Sequence, residues 1–134
     1  MNIASEQEMI KYGKSFAKKL NSPCVIELLG DVGAGKTTFV RGLAEGLGIK
    51  EPITSPSFTI SKSYATPSNK TLIHYDFYRL PDPGLMAEDL EENINNPNNI
   101  VIIEWADSVS DLLPKDHITI KIKYNENGTR EVTI

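Results

Sequence analysis

The segment Gly30-Asp31-Val32-Gly33-Ala34-Gly35-Lys36-Thr37 constrains this chain more than any other. It matches the pattern G-x-x-x-x-G-K-[ST], and its flanks fit too. Before it, Cys24-Val25-Ile26-Glu27-Leu28-Leu29 is a short apolar run that suits a buried parallel strand. After it, a helix is expected from about Gly35, burying Phe39, Val40, Leu43 and Leu47 and stopping at Gly48. Strand, glycine loop and helix form the first half of a βαβ unit. In that setting glycines let the backbone wrap an anion without Cβ clashes, so that successive amides and the helix N-terminus face a phosphate. Lys36 is then placed to reach the β and γ phosphates and Thr37 to offer its hydroxyl to Mg2+. Asp31, Val32, Gly33, Ala34, Gly35, Lys36, Thr37 and Thr38 are the expected nucleotide-holding residues. Lys36 is expected to be a point charge in a solvent-open loop.

The remaining pattern alternates helical and strand signals. Ser5 followed by Glu8 has capping-box spacing, and Met9, Ile10, Gly13, Phe16, Ala17 and Leu20 share a helical face, which predicts a helix over 5–20. Thr54-Ser55-Pro56-Ser57 is too proline-rich for a central strand. Strands are predicted over Thr59 to Tyr64 and Leu72 to Tyr75 as neighbours across the turn Thr66-Pro67-Ser68-Asn69. A helix is predicted over Leu85 to Glu92, with Leu85, Met86 and Leu90 as its apolar positions. Ile100-Val101-Ile102-Ile103 is the most hydrophobic run and reads as a core strand ending in Glu104. A short helix over Asp107 to Leu113 and a terminal hairpin, His117 to Tyr124 with Arg130 to Ile134 around Asn127-Gly128, complete the chain. The expected fold is α/β: a single P-loop domain over residues 1–134, a three-layer sandwich with a mostly parallel central sheet and a C-terminal antiparallel hairpin.

A phosphate loop needs a carboxylate at a neighbouring strand end. Glu104 and Asp76, which closes Leu72-Ile73-His74-Tyr75, are the two candidates; a solvated acid at a strand end is the plain alternative for each. His74 reads as a satisfied, half-buried histidine, since nothing near it has metal-ligand spacing. Arg79 is open between phosphate contact and packing, Trp105 between base stacking, partner contact and core filling. Cys24 reads as an inert core residue.

Composition narrows the function classes. Lys and Arg number 14 against 18 Asp and Glu, a net charge of -4, which disfavours tight direct binding of a polyanion. The lone Cys24 leaves no internal disulfide and points to a reducing compartment. No membrane-spanning run or signal-peptide pattern is present, so a cytoplasmic location is expected. A small phosphotransferase acting as a nucleotide or metabolite kinase would need a basic lid, whereas Asp82 to Asn99 has five acidic residues and no basic one. A GTPase would need an N-K-x-D stretch, and Asn69-Lys70 is followed by Thr71-Leu72.

Three further motifs follow the Gly30 to Thr38 loop: Ser55-Pro56-Ser57-Phe58, His74-Tyr75-Asp76-Phe77-Tyr78-Arg79-Leu80, and then Ile103-Glu104-Trp105. In this order the chain resembles the bacterial TsaE (YjeE) family over nearly its whole length. The resemblance implies a small P-loop ATPase using ATP and Mg2+. It implies service in making N6-threonylcarbamoyladenosine at position 37 of tRNAs that read codons starting with A. TsaB and TsaD type proteins would be its partners, with tRNA met indirectly through that complex. It further implies Lys36, Asp76 and Glu104 as the catalytic set, Thr37 and Glu104 as the metal residues, and Glu6 near the nucleotide. The Ser55-Pro56-Ser57 loop corresponds to a nucleotide-responsive segment.

Overall fold

A computed structural model of the chain describes residues 1–31, 33–56, 59–78, 80 and 82–134. The expectations for Val32, Ser57, Phe58 and Arg79 lie outside these residues. In chain order the elements are β1 (Asn2–Ile3), α1 (Glu6–Ala17), β2 (Cys24–Leu29), α2 (Lys36–Gly46), β3 (Ser61–Ala65) and β4 (Thr71–Asp76). There follow α3 (Leu85–Ile94), β5 (Asn99–Glu104), a 3-10 helix (Ala106–Leu112), β6 (Ile118–Tyr124) and β7 (Arg130–Thr133). Among the described residues the sheet has seven strands in the order β1-β7-β6-β2-β5-β4-β3. β6, β2, β5 and β4 are parallel neighbours, whereas β3, β7 and β1 join antiparallel at the two ends.

Alternation sorts the strand residues onto two faces. Ile26, Leu28, Leu72, Ile100, Ile102, Ile120 and Ile122 pack with Met9, Phe39, Val40 and Leu43 of α1 and α2. Val25, Ile73, Tyr75, Val101 and Ile103 pack on the opposite face with Leu90 of α3 and Val109 of the 3-10 helix. The three-layer architecture is therefore as expected. Buried on both faces, β5 shows an unbroken apolar run; enclosing each of its four aliphatic side chains contributes roughly 1.5–3 kcal/mol.

Several boundaries differ from the sequence pattern for definable reasons. Ser5 does cap α1, its hydroxyl accepting from the Glu8 amide at 3.1 Å, but the Glu8 carboxylate accepts from Ala4 instead of Ser5. The α-helix ends at Ala17, three residues short, because the Lys18, Lys19 and Leu20 amides bond carbonyls three residues back, tightening the last turn. In α3, Leu85 is 80 % exposed while Met86 and Leu90 face the core. Five residues separate Leu85 from Leu90, about 140° around the helix, whereas Met86 lies one turn away. Leu47 caps α2 and is only partly buried.

α1 crosses α2 at very short range. A Cβ built on Gly13 would lie 2.6 Å from the Phe39 carbonyl oxygen and 2.9 Å from the Leu43 amide. Glycine at this crossing lets α1 rest directly on the backbone of the helix that follows the phosphate loop. The start of α1 is thereby brought beside that loop.

Candidate functional site

The site lies at the C-terminal ends of the parallel strands, where β2 runs into the glycine loop. Gly33 and Gly35 have φ of +84° and +107°, values that side-chain-bearing residues rarely adopt, so these positions require glycine. Ala34 donates its amide to the Asp31 carbonyl at 3.0 Å, and α2 begins at Lys36 with no side-chain cap. Its first-turn amides therefore remain available for an anion.

Register brings the acids together. Asp76 of β4 is the pairing partner of Glu104 in β5, and Glu104 is in turn the partner of Leu28 in β2. Paired residues in parallel strands share a face, so both carboxylates stand side by side next to the loop. Neither is a solvated strand-end acid: Asp76 is 7 % exposed and Glu104 4 %. Asp76 Oδ1 accepts from the Tyr78 amide at 2.9 Å, which fixes the chain leaving β4.

Lys36 departs from expectation, being buried at 6 % exposure. Its ammonium donates to the Gly30 carbonyl at 2.5 Å and lies 3.5 Å from Glu104 Oε1 and 4.3 Å from the centroid of the Trp105 ring. Trp105 achieves this through a left-handed backbone, φ 56° and ψ 53°, immediately after the end of β5. The turn aims the indole across the loop, where it also meets Tyr78 with ring centroids 4.7 Å apart. An exposed lysine would have been the default for a loop; the indole and the carboxylate enclose this one.

A cavity of 670 Å³ opens here, and Glu6, Gly33, Gly35, Lys36, Thr37, Thr38, Asp76 and Glu104 all line it. Asp31 and Ala34 instead line an adjoining cleft of 940 Å³ beside Lys121, Lys123 and Tyr124. That cleft is larger but lacks Asp76 and Glu104, both of which line the smaller cavity. Glu6 reaches it from the first turn of α1, with its carboxylate paired to Arg41 at 3.1 Å on the exposed surface. Such an exposed pair contributes little stability.

The donor set suits a nucleotide phosphate chain with Mg2+. Loop amides and the Lys36 ammonium can neutralise phosphates, while the Thr37 hydroxyl and the Glu104 carboxylate can hold the ion. Among the described residues no group of three or more His, Cys, Asp or Glu side chains is arranged to hold a metal. Mg2+ needs no such group, since it takes one or two protein oxygens and completes its shell with phosphate and water.

Two participants were not legible as such in the sequence. Arg130, the first residue of β7, donates Nε to the Ala34 carbonyl at 3.0 Å and lies over the Tyr124 ring, bracing the loop from 96 residues away. Only hairpin register could have pointed to it. His74 is fully enclosed, not half-buried, and its Nε2 meets Glu104 Oε2 at 2.5 Å. Its alternation with Asp76 in β4 was the available signal. Cys24 is partly buried, and its thiol is pushed up to about 11, first by burial and then by the Asp116 charge. That fits an unreactive thiol.

No helix among the described residues is long and apolar enough to cross a membrane. A family model described as "Threonylcarbamoyl adenosine biosynthesis protein TsaE" matches residues 3–132. The tRNA threonylcarbamoyladenosine biosynthesis protein TsaE of Bacillus subtilis is 37% identical, with 99% of this chain and 80% of the relative covered. The protein of the same name from Treponema pallidum is 36% identical, covering 97% and 95%. The crystal structure of Bacillus subtilis YdiB superposes with a TM-score of 0.81 at 33% identity, over 98% of this chain and 80% of that one. A glycine loop feeding α2, two acids paired across β4 and β5, and similarity running almost from end to end thus lead to one assignment: the chain belongs to the TsaE family.

Proposed function

We propose that the protein is an ATPase that binds and hydrolyses ATP with Mg2+ to support formation of N6-threonylcarbamoyladenosine on tRNA. It acts with TsaB and TsaD type proteins and meets tRNA only through that complex. The observation that supports this best is the convergence of Lys36, Thr37, Asp76 and Glu104 on one cavity at the strand ends. Family membership supplies the biosynthetic context.

On this reading the loop amides and the α2 N-terminus bind the phosphate chain, and Lys36 exchanges the Gly30 carbonyl and Glu104 for phosphate oxygens. Thr37 and Glu104 would hold Mg2+, which when bound would neutralise charge on the phosphates. Asp76, one strand over, orients the attacking water or couples the site to the partner through the Tyr78 segment. Trp105 and Tyr78 wall the cavity and limit water access. Turnover by the protein alone is slow, because these groups position the reactants and add little new charge stabilisation in the transition state.

Nucleotide-controlled docking accounts for the coupling, and the net charge of -4 argues against a direct RNA-binding role. Titration of the protein against a TsaB–TsaD type complex without nucleotide, with ADP and with a non-hydrolysable ATP analogue tests it. Binding should be tightest with the ATP analogue, and the partner should tighten ATP binding by the same factor. Equal affinity in all three states would rule out the switch. Submicromolar binding to naked tRNA at physiological salt would replace the partner-dependent reading with a direct RNA enzyme.

A further inference from the structure

We propose that His74 is a positioning residue that fixes the rotation of the Glu104 carboxylate, committing one oxygen to the interior and presenting the other to the phosphate loop; this rests on the ATPase reading above. The two-residue step from His74 to Asp76 keeps both on the α1/α2 face of β4, and the register pairs Asp76 with Glu104 and His74 with Ile102. His74 is thus the diagonal neighbour of Glu104, within reach of a long side chain. The Glu104 oxygens are divided accordingly: Oε2 lies 2.5 Å from His74 Nε2, and Oε1 lies 3.5 Å from the Lys36 ammonium.

A glutamate's terminal torsion is broad, so a carboxylate without a second partner samples many orientations. His74 removes that freedom, and with 0 % exposure it is itself held by packing. Hydrogen accounting gives the donor. Among the described residues His74 Nδ1 is buried with no hydrogen-bond partner, while Nε2 faces a carboxylate oxygen, which only accepts. Nε2 therefore carries a hydrogen and donates it to Glu104 Oε2. When Lys36 leaves for phosphate, Glu104 loses its ammonium neighbour and keeps this anchor. Oε1 then remains aimed at the loop, where Thr37 and Glu104 would hold Mg2+. An apolar residue at position 74 would fill the same space and leave Oε2 buried without a donor.

Two measurements test this. Long-range 1H–15N spectra of the ligand-free protein should show His74 protonated at Nε2; a proton at Nδ1 with Nε2 bare would overturn the proposal, since that ring cannot donate to Glu104. Calorimetric ATP titrations with and without Mg2+ then compare wild type, His74→Leu and His74→Gln, whose amide nitrogen reaches roughly the Nε2 position. In His74→Leu the affinity gained on adding Mg2+ should shrink about tenfold while Mg2+-free affinity stays within about twofold, and His74→Gln should recover to within about threefold. A wild-type gain in His74→Leu, or an equal loss in His74→Gln, would overturn the positioning role while leaving the ATPase reading intact. If His74→Leu does not fold, His74→Asn replaces it: its amide is one carbon shorter and should lose the gain that His74→Gln keeps, and equal behaviour of the two overturns the role. Absence of Mg2+-dependent ATP binding in the wild type would instead remove the functional reading and the positioning role with it.

Discussion

Replacing Lys36 with methionine keeps the chain length and removes the ammonium from beside a buried carboxylate. The Lys36 and Glu104 side chains are 7 % and 5 % exposed, and their charged atoms are 3.5 Å apart. At an effective dielectric of about 20 the attraction at this distance is about 5 kcal/mol before desolvation is counted. Desolvation offsets much of it while both partners are present, but removing one strands the other; breaking a buried pair this way costs about 3–5 kcal/mol. Glu104 keeps His74 as a donor, which brings the cost of Lys36→Met below that range, to about 2–3 kcal/mol. With a urea slope of about 2 kcal/mol/M the unfolding midpoint should fall by about 1–1.5 M. The double variant Lys36→Met/Glu104→Gln should recover more than half of that loss, because a neutral amide is cheaper to bury than an unpaired carboxylate. Urea titrations of the four proteins of this cycle are the assay, with calorimetry on the two proteins that carry Lys36→Met confirming loss of ATP binding. A Lys36→Met midpoint within about 0.3 M of wild type, or a double variant no more stable than the single, would refute the buried-pair argument.

Four other expectations follow from the same geometry. Glu104→Gln should retain ATP binding and lower Mg2+-supported hydrolysis at least about tenfold in steady-state assays; Asp76→Asn should alter Mg2+ titrations of the isolated protein if Asp76 acts near the ion, and only the partner-stimulated rate if it couples to the partner. Gly13→Ala should lower stability by about 1–2 kcal/mol, since overpacking against the Phe39 carbonyl at 2.6 Å outweighs the helix-propensity gain, and a raised Tm by calorimetry would contradict the close α1–α2 crossing. Cys24 should react slowly with disulfide reagents at pH 8 and faster as pH rises toward 11; because its folded value lies above the ordinary 9.0, the stability it contributes is complete below pH 9 and is lost as pH climbs through 11, which urea midpoints across that range would show.

The local half of the site was written in consecutive residues. Gly33, Gly35, Lys36 and Thr37 need only their own spacing and the flanking apolar periodicity to specify a strand, a positive-φ loop and a helix N-terminus. Asp76 and Glu104 were legible as strand-end acids because each closes an apolar run. Their adjacency is a matter of register between β4 and β5, elements 28 residues apart in pairing, and no local pattern encodes it. The same holds for β1, two residues long, which exists only because β7 offers it an edge. Burial was misjudged where it depends on distant covers: Lys36 reads as an exposed loop cation until Trp105 turns over it, and His74 as a half-buried ring until Glu104 arrives from β5. Residue type and period along one element are properties of the chain, and they decided which groups could do chemistry. Solvent exclusion and pairing depend on what packs against those groups, so only the tertiary structure decided that Lys36, Glu104 and His74 form one buried row, linked by an ion pair and a hydrogen bond.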